Sequence, residues 1–141
     1  MSTYPKSPRE MTGGMMYFPR MLDKIRLQER GDLGEEYQGN LGKPKTADGA
    51  CTNFLRINYG VLRQRVLKGG SDEEILDWCY ANGRRLNEGD LTVWNAFVSK
   101  LGWNDFASPV LEQHKQNCGA ADRTDIATIS DLIDFEEKRR D

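Results

Sequence analysis

Residues 13–26, Gly13-Gly14-Met15-Met16-Tyr17-Phe18-Pro19-Arg20-Met21-Leu22-Asp23-Lys24-Ile25-Arg26, constrain this chain more than any other stretch. Pro19 suits the first turn of a helix, where a missing N–H costs nothing and φ is already set. Gly13 and Gly14 read as the turn before it, and Gly31 after Arg30 reads as the stop. Phe18, Met21, Leu22 and Ile25 repeat at i, i+3, i+4 and i+7, one apolar stripe that must be buried. Arg20, Asp23 and Lys24 fall away from that stripe at 3.6 residues per turn, with Arg26 at its edge. Asp23 is three residues from both Arg20 and Arg26, so the spacing predicts an ion cluster. Such a cluster is either a solvated face or a set of cations that Asp23 orients toward an anion or a partner carboxylate.

The remaining chain reads as further helices. Asp48 suits the start of a helix holding Cys51, Phe54 and Leu55, and Asn58 caps one with Leu62, Val66 and Leu67. Ser71-Asp72-Glu73-Glu74 is a capping box leading into Ile75, Leu76, Trp78 and Cys79. Asp90 opens a helix whose Leu91, Trp94, Val98 and Leu101 share a face. A helix from about Asp105, or from about residue 108 if Pro109 sets the start, places Phe106, Val110, Leu111, His114 and Cys118 on one side. The last helix turns Ile126, Ile129, Leu132 and Ile133 inward and ends in cations that suit its dipole. Between the first two helices, residues 31–45 hold four glycines and Pro44, a loop with at most a short strand near Tyr37. No other strand pattern is visible. The expected fold is all-α: a single domain over 13–141 with six to seven short helices and one Gly-rich loop. An extended arm over 1–12, held by Tyr4 and Met11 or else disordered, precedes it.

Length and charge narrow the function classes. The 141 residues suit one domain. No apolar run reaches the ~18 residues of a membrane helix. The N-terminus lacks a charged-then-apolar leader, and the three cysteines, Cys51, Cys79 and Cys118, are unpaired in sequence, so the expected setting is a reducing cytoplasm. Residues 1–70 hold 12 Lys and Arg against 7 Asp and Glu, and residues 71–141 hold 8 against 15. The halves therefore carry +5 and −7, which attract each other within one chain or between two copies. The basic half is too dilute, and too poor in interleaved aromatics, for a nucleic-acid surface.

Few chemical motifs are present. There is no phosphate-binding loop, dinucleotide fingerprint or paired-cysteine motif. His114 and Cys118 sit four apart but lack two further spaced ligands, so neither a metal nor any other cofactor is expected. Cys118 is also poorly placed on the same helix to act as a nucleophile for His114. His114, the one histidine, lies between Leu111 and Cys118 and reads as half-buried, with an acid–base or anion-contact role open to it. Asp131, Asp134, Glu136 and Glu137 read as surface charge rather than a cation site.

Taken together, several blocks resemble a known family. They are Ser7-Pro8-Arg9, Gly13-Gly14, Pro19 to Lys24, Gly34-Glu35-Glu36-Tyr37, Ser71 to Trp78, Trp94, His114-Lys115, and Asp125 to Thr128 leading into Asp131 to Asp134. In order and spacing, from about Tyr4 to about Glu137, the chain resembles the bacterial family known as domain of unknown function 5069. Such proteins usually carry a Cys-Pro-Leu-Asp-like turn after the Gly-Glu-Tyr segment, where this chain has Gly42 to Asp48. The resemblance implies one cytoplasmic domain and no particular chemistry. The expected role is a non-catalytic binding or interaction module for a small anionic ligand or a protein partner. Its candidate contact residues are Arg9, Arg20, Asp23, Lys24, Tyr37 and His114. Two alternatives are a small enzyme using His114 with Asp23 or Tyr37 as acid and base, and a structural homodimer held by the opposed charges.

Overall fold

A computed structural model describes residues 3–141. The Gly13-Gly14 pair makes a hairpin turn. Both glycines have positive φ, 55° and 80°, as a two-residue turn between antiparallel strands needs. The strands are β1 (Met11–Thr12) and β2 (Met15–Met16), with Met11 opposite Met16. They are too short to show an alternating pattern, so the sequence reading sees the turn and misses the strands. Helices follow: α1 (Phe18–Arg30), α2 (Glu35–Gln38), α3 (Ala47–Leu55) and α4 (Tyr59–Leu67). Then come α5 (Asp72–Asn82), α6 (Glu88–Lys100), α7 (Ser108–Asn117) and α8 (Ile129–Glu136). The all-α expectation holds. Tyr37 lies on the extra one-turn helix α2, not on a strand.

α1 is the axis of the molecule. Phe18, Met21, Leu22 and Ile25 are all fully buried, as their spacing predicts. Around them pack Leu55 and Cys51 from α3, Leu62 and Val66 from α4, Ile75 and Cys79 from α5, and Trp94 and Val98 from α6. Burial pushes the Cys79 thiol up to about 12 and holds the Cys51 thiol well above its usual range, so both act as small apolar groups. α6 also locks the hairpin. Trp94 Nε1 donates to the Met16 carbonyl (2.8 Å), Asn95 Nδ2 donates to the Gly14 carbonyl (2.8 Å), and the Met16 N–H donates to Asn95 Oδ1 (2.9 Å). A second, smaller core of Leu111, Ala120, Ile126 and Leu132 lies between α7 and α8.

The caps agree only in part with expectation. Asn58 and the Ser71–Glu74 box form as read. The cap of α3 is Thr46, and Asp48 instead points inward, fully buried. The cap of α6 is Asn87, with Asp90 completing its capping box from the third position. α7 is rotated relative to the expected stripe. Leu111 and Lys115 face inward, while Phe106 (66%), Val110 (52%) and His114 are exposed. His114 is therefore not a half-buried core histidine.

α5 ends where the chain crosses α3 closely. A Cβ on Gly83 would strike the Leu55 carbonyl oxygen and the Ile57 side chain. That backbone also accepts the Arg84 N–H (2.8 Å) and cannot retreat freely. Gly83→Ala is expected to cost about 1–3 kcal/mol, read as a lower midpoint in urea at unchanged slope.

Candidate functional site

Two positions on the polar side of α1 carry cations that the sequence reading exposes to solvent. The structure buries both. Arg20 and Lys24 are 3% and 6% exposed, because α8, the N-terminal residues and α3 cover this side as well. α1 is thus enclosed nearly all round, and each cation has been given an internal carboxylate.

Arg20 meets Glu137, the residue after α8, as a parallel fork: Nη1 donates to Oε1 at 2.9 Å and Nη2 to Oε2 at 2.8 Å. The Tyr37 hydroxyl donates to the same Glu137 Oε2 at 2.6 Å, and its ring lies against the guanidinium, 5.7 Å from the carbon. Arg139 also donates to Glu137 (2.5 Å) and reaches Asp134 at 3.2 Å. Burial pushes the Glu137 carboxyl up, but the bonds and charge of Arg20, with Tyr37 and Arg139, outweigh it and hold it below the ordinary range. A lowered carboxyl contributes stability above its unfolded pKa, and this is lost as pH falls through the folded value. Thermal stability is therefore expected to fall below about pH 4, and Glu137→Gln is expected to flatten that acid limb in melts recorded against pH.

The same network holds the N-terminal segment. Ser7 Oγ and Arg9 Nε both donate to Asp134, at 2.8 and 3.1 Å, and Arg9 Nη2 donates to Asp131 at 2.5 Å. Arg20 Nη1 donates to the Lys6 carbonyl at 3.0 Å, and Arg139 donates to the Pro5 carbonyl. Pro5, Ser7 and Pro8 are buried, whereas Met11 is 55% exposed, so the expected anchors Tyr4 and Met11 are not the principal ones. Asp134 and Glu137 are interior groups at 8% and 5% exposure, not surface charge. The opposition between the basic and acidic halves is largely spent here, and in the Arg26–Asp72 pair at 2.7 Å.

Lys24 belongs to a second knot. Its Nζ lies 2.8 Å from Asp48 Oδ1 and 2.9 Å from the Tyr17 hydroxyl, which itself donates to Asp48 Oδ1 at 2.6 Å. The Gly42 N–H donates to the other oxygen at 3.1 Å. Tyr17 reaches inward from a left-handed backbone, φ 75°, a strained conformation for an aromatic residue. Burial, reinforced by Asp48, pushes the Tyr17 phenol well above its usual range. Burial draws the Lys24 ammonium down, and Asp48 offsets part of that. The Gly42-to-Asp48 turn is the wall of this knot.

Asp23 makes no ion pair with Arg20. It accepts the Lys6 N–H at 3.1 Å and pairs loosely with Arg26 at 3.7 Å. The predicted Arg20–Asp23–Arg26 cluster is thus split, because Arg20 turns to Glu137. His114 stands outside both knots, on the exposed flank of α7. Burial pushes the nearby Glu136 carboxyl up and His114 pulls it back, but among the described residues His114 bonds neither Asp23 nor Tyr37. The six expected contact residues therefore separate. Arg9, Arg20 and Tyr37 share the Glu137–Asp134 network, Lys24 lies in the adjoining knot, Asp23 joins the network only through Lys6, and His114 lies on exposed α7 near Glu136.

A shallow, open depression lies elsewhere on the surface. A surface cavity of about 470 Å³ opens between the α6–α7 connection, α7 and the segment before α8. Its walls include Trp103, Leu111 and Ile126, and Trp103 is 60% exposed. The connection is rigidly tied. Asp105 accepts the Gly102 and Ala107 N–H groups, while Ser108 Oγ donates to the Gly102 carbonyl at 2.9 Å and accepts the Asp105 N–H at 2.8 Å. This lattice fixes the backbone on both sides of Trp103. Lys115 lies at the cavity wall, 6% exposed, with Nζ donating to the carbonyls of Arg123 (2.7 Å) and Ile126 (3.0 Å). Among the described residues no carboxylate pairs with it. The sequence signal was the Leu111–Lys115 spacing, i and i+4, which competes with the Val110–His114 stripe one residue away.

Eight helices, α1 among them as the axis, with a two-strand hairpin as the only sheet among the described residues, define a mostly α single-domain protein. The chain belongs to the family described as Domain of unknown function (DUF5069), whose family model matches residues 2–139. No curated protein matches it. Among the described residues, no helix is long and apolar enough to cross a membrane, and no group of three or more His, Cys, Asp or Glu is placed to hold a metal.

Proposed function

We propose that this chain is a non-catalytic binding module for a small anionic ligand with an apolar body, held in the Trp103 cavity. One observation carries the reading. Lys115 is a nearly buried ammonium at the cavity wall whose hydrogen bonds among the described residues go only to neutral carbonyls. Arg20 and Lys24, the other two buried cations, each have a carboxylate at 2.8 Å. A buried charge lacking an opposite charge is costly, so an anion beside Nζ completes the electrostatics. The ammonium has three donors and two are used, leaving one for a ligand oxygen. Trp103, Leu111 and Ile126 supply apolar wall, and about 470 Å³ suits a small molecule. The Asp105–Ser108 lattice fixes the loop before binding, which lowers the ordering cost.

Titration calorimetry with 3-phenylpropionate is the test. Wild type is expected to bind it, and to gain about 2–3 kcal/mol of stability at a hundredfold excess over Kd. Lys115→Met removes the charge at near-equal volume and is expected to abolish binding. Trp103→Ala, at an exposed position, is expected to weaken it tenfold or more while melting like wild type. Unchanged binding in Trp103→Ala, or no binding by wild type, rejects the reading.

A further inference from the structure

The cavity wall carries a second charge. Glu112 lines the same cavity, three residues before Lys115 on α7. Opposite charges at i and i+3 on a helix are neighbours and ordinarily close on each other. Here they do not. Lys115 is drawn to the Arg123 and Ile126 carbonyls, and among the described residues no cation or hydrogen-bond donor engages the Glu112 carboxylate. One helix thus lines the cavity with a positive and a negative residue, neither neutralised by an opposite charge among the described residues. A plain anion gains the Lys115 contact but not one to Glu112, so a ligand that also carries a positive charge gains more.

Resting on the reading above, we infer that the ligand is a zwitterion: a free α-amino acid with an apolar side chain. Its carboxylate would accept from Lys115 Nζ, its ammonium would donate to Glu112, and its side chain would lie on Trp103 and Leu111. The carboxylate and ammonium of an α-amino acid share one carbon, so a single ligand can present both charges to neighbouring positions of α7. The bonds are charge-assisted at both ends, the stronger class of hydrogen bond. A peptide lacks one of the two charges at either terminus, so the geometry favours the free amino acid.

Calorimetry on the full chain compares L-phenylalanine, 3-phenylpropionate and phenethylamine, which share a ring and carry both charges, the negative one or the positive one. L-phenylalanine is expected to bind about tenfold more tightly than 3-phenylpropionate, the value of one charged hydrogen bond, and phenethylamine more weakly still. Glu112→Gln, an exposed neutral isostere, is expected to erase the preference for L-phenylalanine over 3-phenylpropionate. Equal affinity of wild type for those two ligands overturns the zwitterion while leaving an anion site. Binding of 3-phenylpropionate alone does the same. A preference that persists in Glu112→Gln also overturns it, and failure of all three ligands removes both readings.

Discussion

Glu137→Ala is expected to lower the stability of this protein by about 3–5 kcal/mol, the usual cost of stranding a buried charge. The change leaves the Arg20 guanidinium, 4% exposed at its side chain, with the Lys6 carbonyl as its one hydrogen-bond acceptor among the described residues. It also orphans the Tyr37 hydroxyl. For a domain of this size the melting temperature should drop roughly 10–15 °C. A second consequence distinguishes this from ordinary core damage. Arg139 would lose one of its two carboxylates, and residues 5–9 take several of their tethers from Arg139, Arg20 and Asp134. Limited proteolysis should therefore cut the N-terminal segment sooner in Glu137→Ala than in a core variant of equal melting temperature, such as one at Leu62. The pair itself need not stabilise the fold. Arg20→Met with Glu137→Leu is expected to recover most of the loss, since matched apolar groups avoid the desolvation of both ions. A double variant as unstable as Glu137→Ala alone would contradict this account.

Asp48→Ala is expected to cost a similar amount, about 3–5 kcal/mol, for a related reason. Asp48 is fully buried and is the common acceptor for Lys24, the Tyr17 hydroxyl and the Gly42 N–H. Removing it leaves an ammonium 6% exposed to solvent, beside a phenol on a strained backbone. Lys24→Met is expected to cost less, because Asp48 keeps two of its donors and Met fills the volume. Combining Asp48→Ala with Lys24→Met should restore part of the loss. Chemical denaturation of the four proteins gives the coupling, expected at 1 kcal/mol or more. Strict additivity would mean that Lys24 and Asp48 do not interact as drawn.

The parts of this fold that were legible in the sequence are those written in local spacing. Phe18, Met21, Leu22 and Ile25 announce α1, Pro19 its start and Gly31 its end. Ser71 and Glu74 announce α5. These depend on residues three or four apart, and local geometry decides them. What was not legible is pairing at a distance. Nothing near Arg20 points to Glu137, 117 positions away, or near Lys24 to Asp48 across the Gly-rich loop. The polar face of α1 looked like a solvated surface because periodicity reports one buried side and cannot say that other elements cover the second. The same limit applies on α7, where only the fold shows which face turns inward. Leu111 and Lys115 are buried there, whereas the Val110–His114 face that the spacing favours is exposed. Trp103 carried a signal that only exposure could reveal.

The Arg20–Glu137 fork also bears on how the chain is made. Arg20 leaves the ribosome 117 residues before its counter-ion does. Until then α1 carries this cation without its native counter-ion, so the interior on that side stays incomplete. Helix pairs such as α4 and α5 are free to associate early, but sealing waits for Glu137 to emerge.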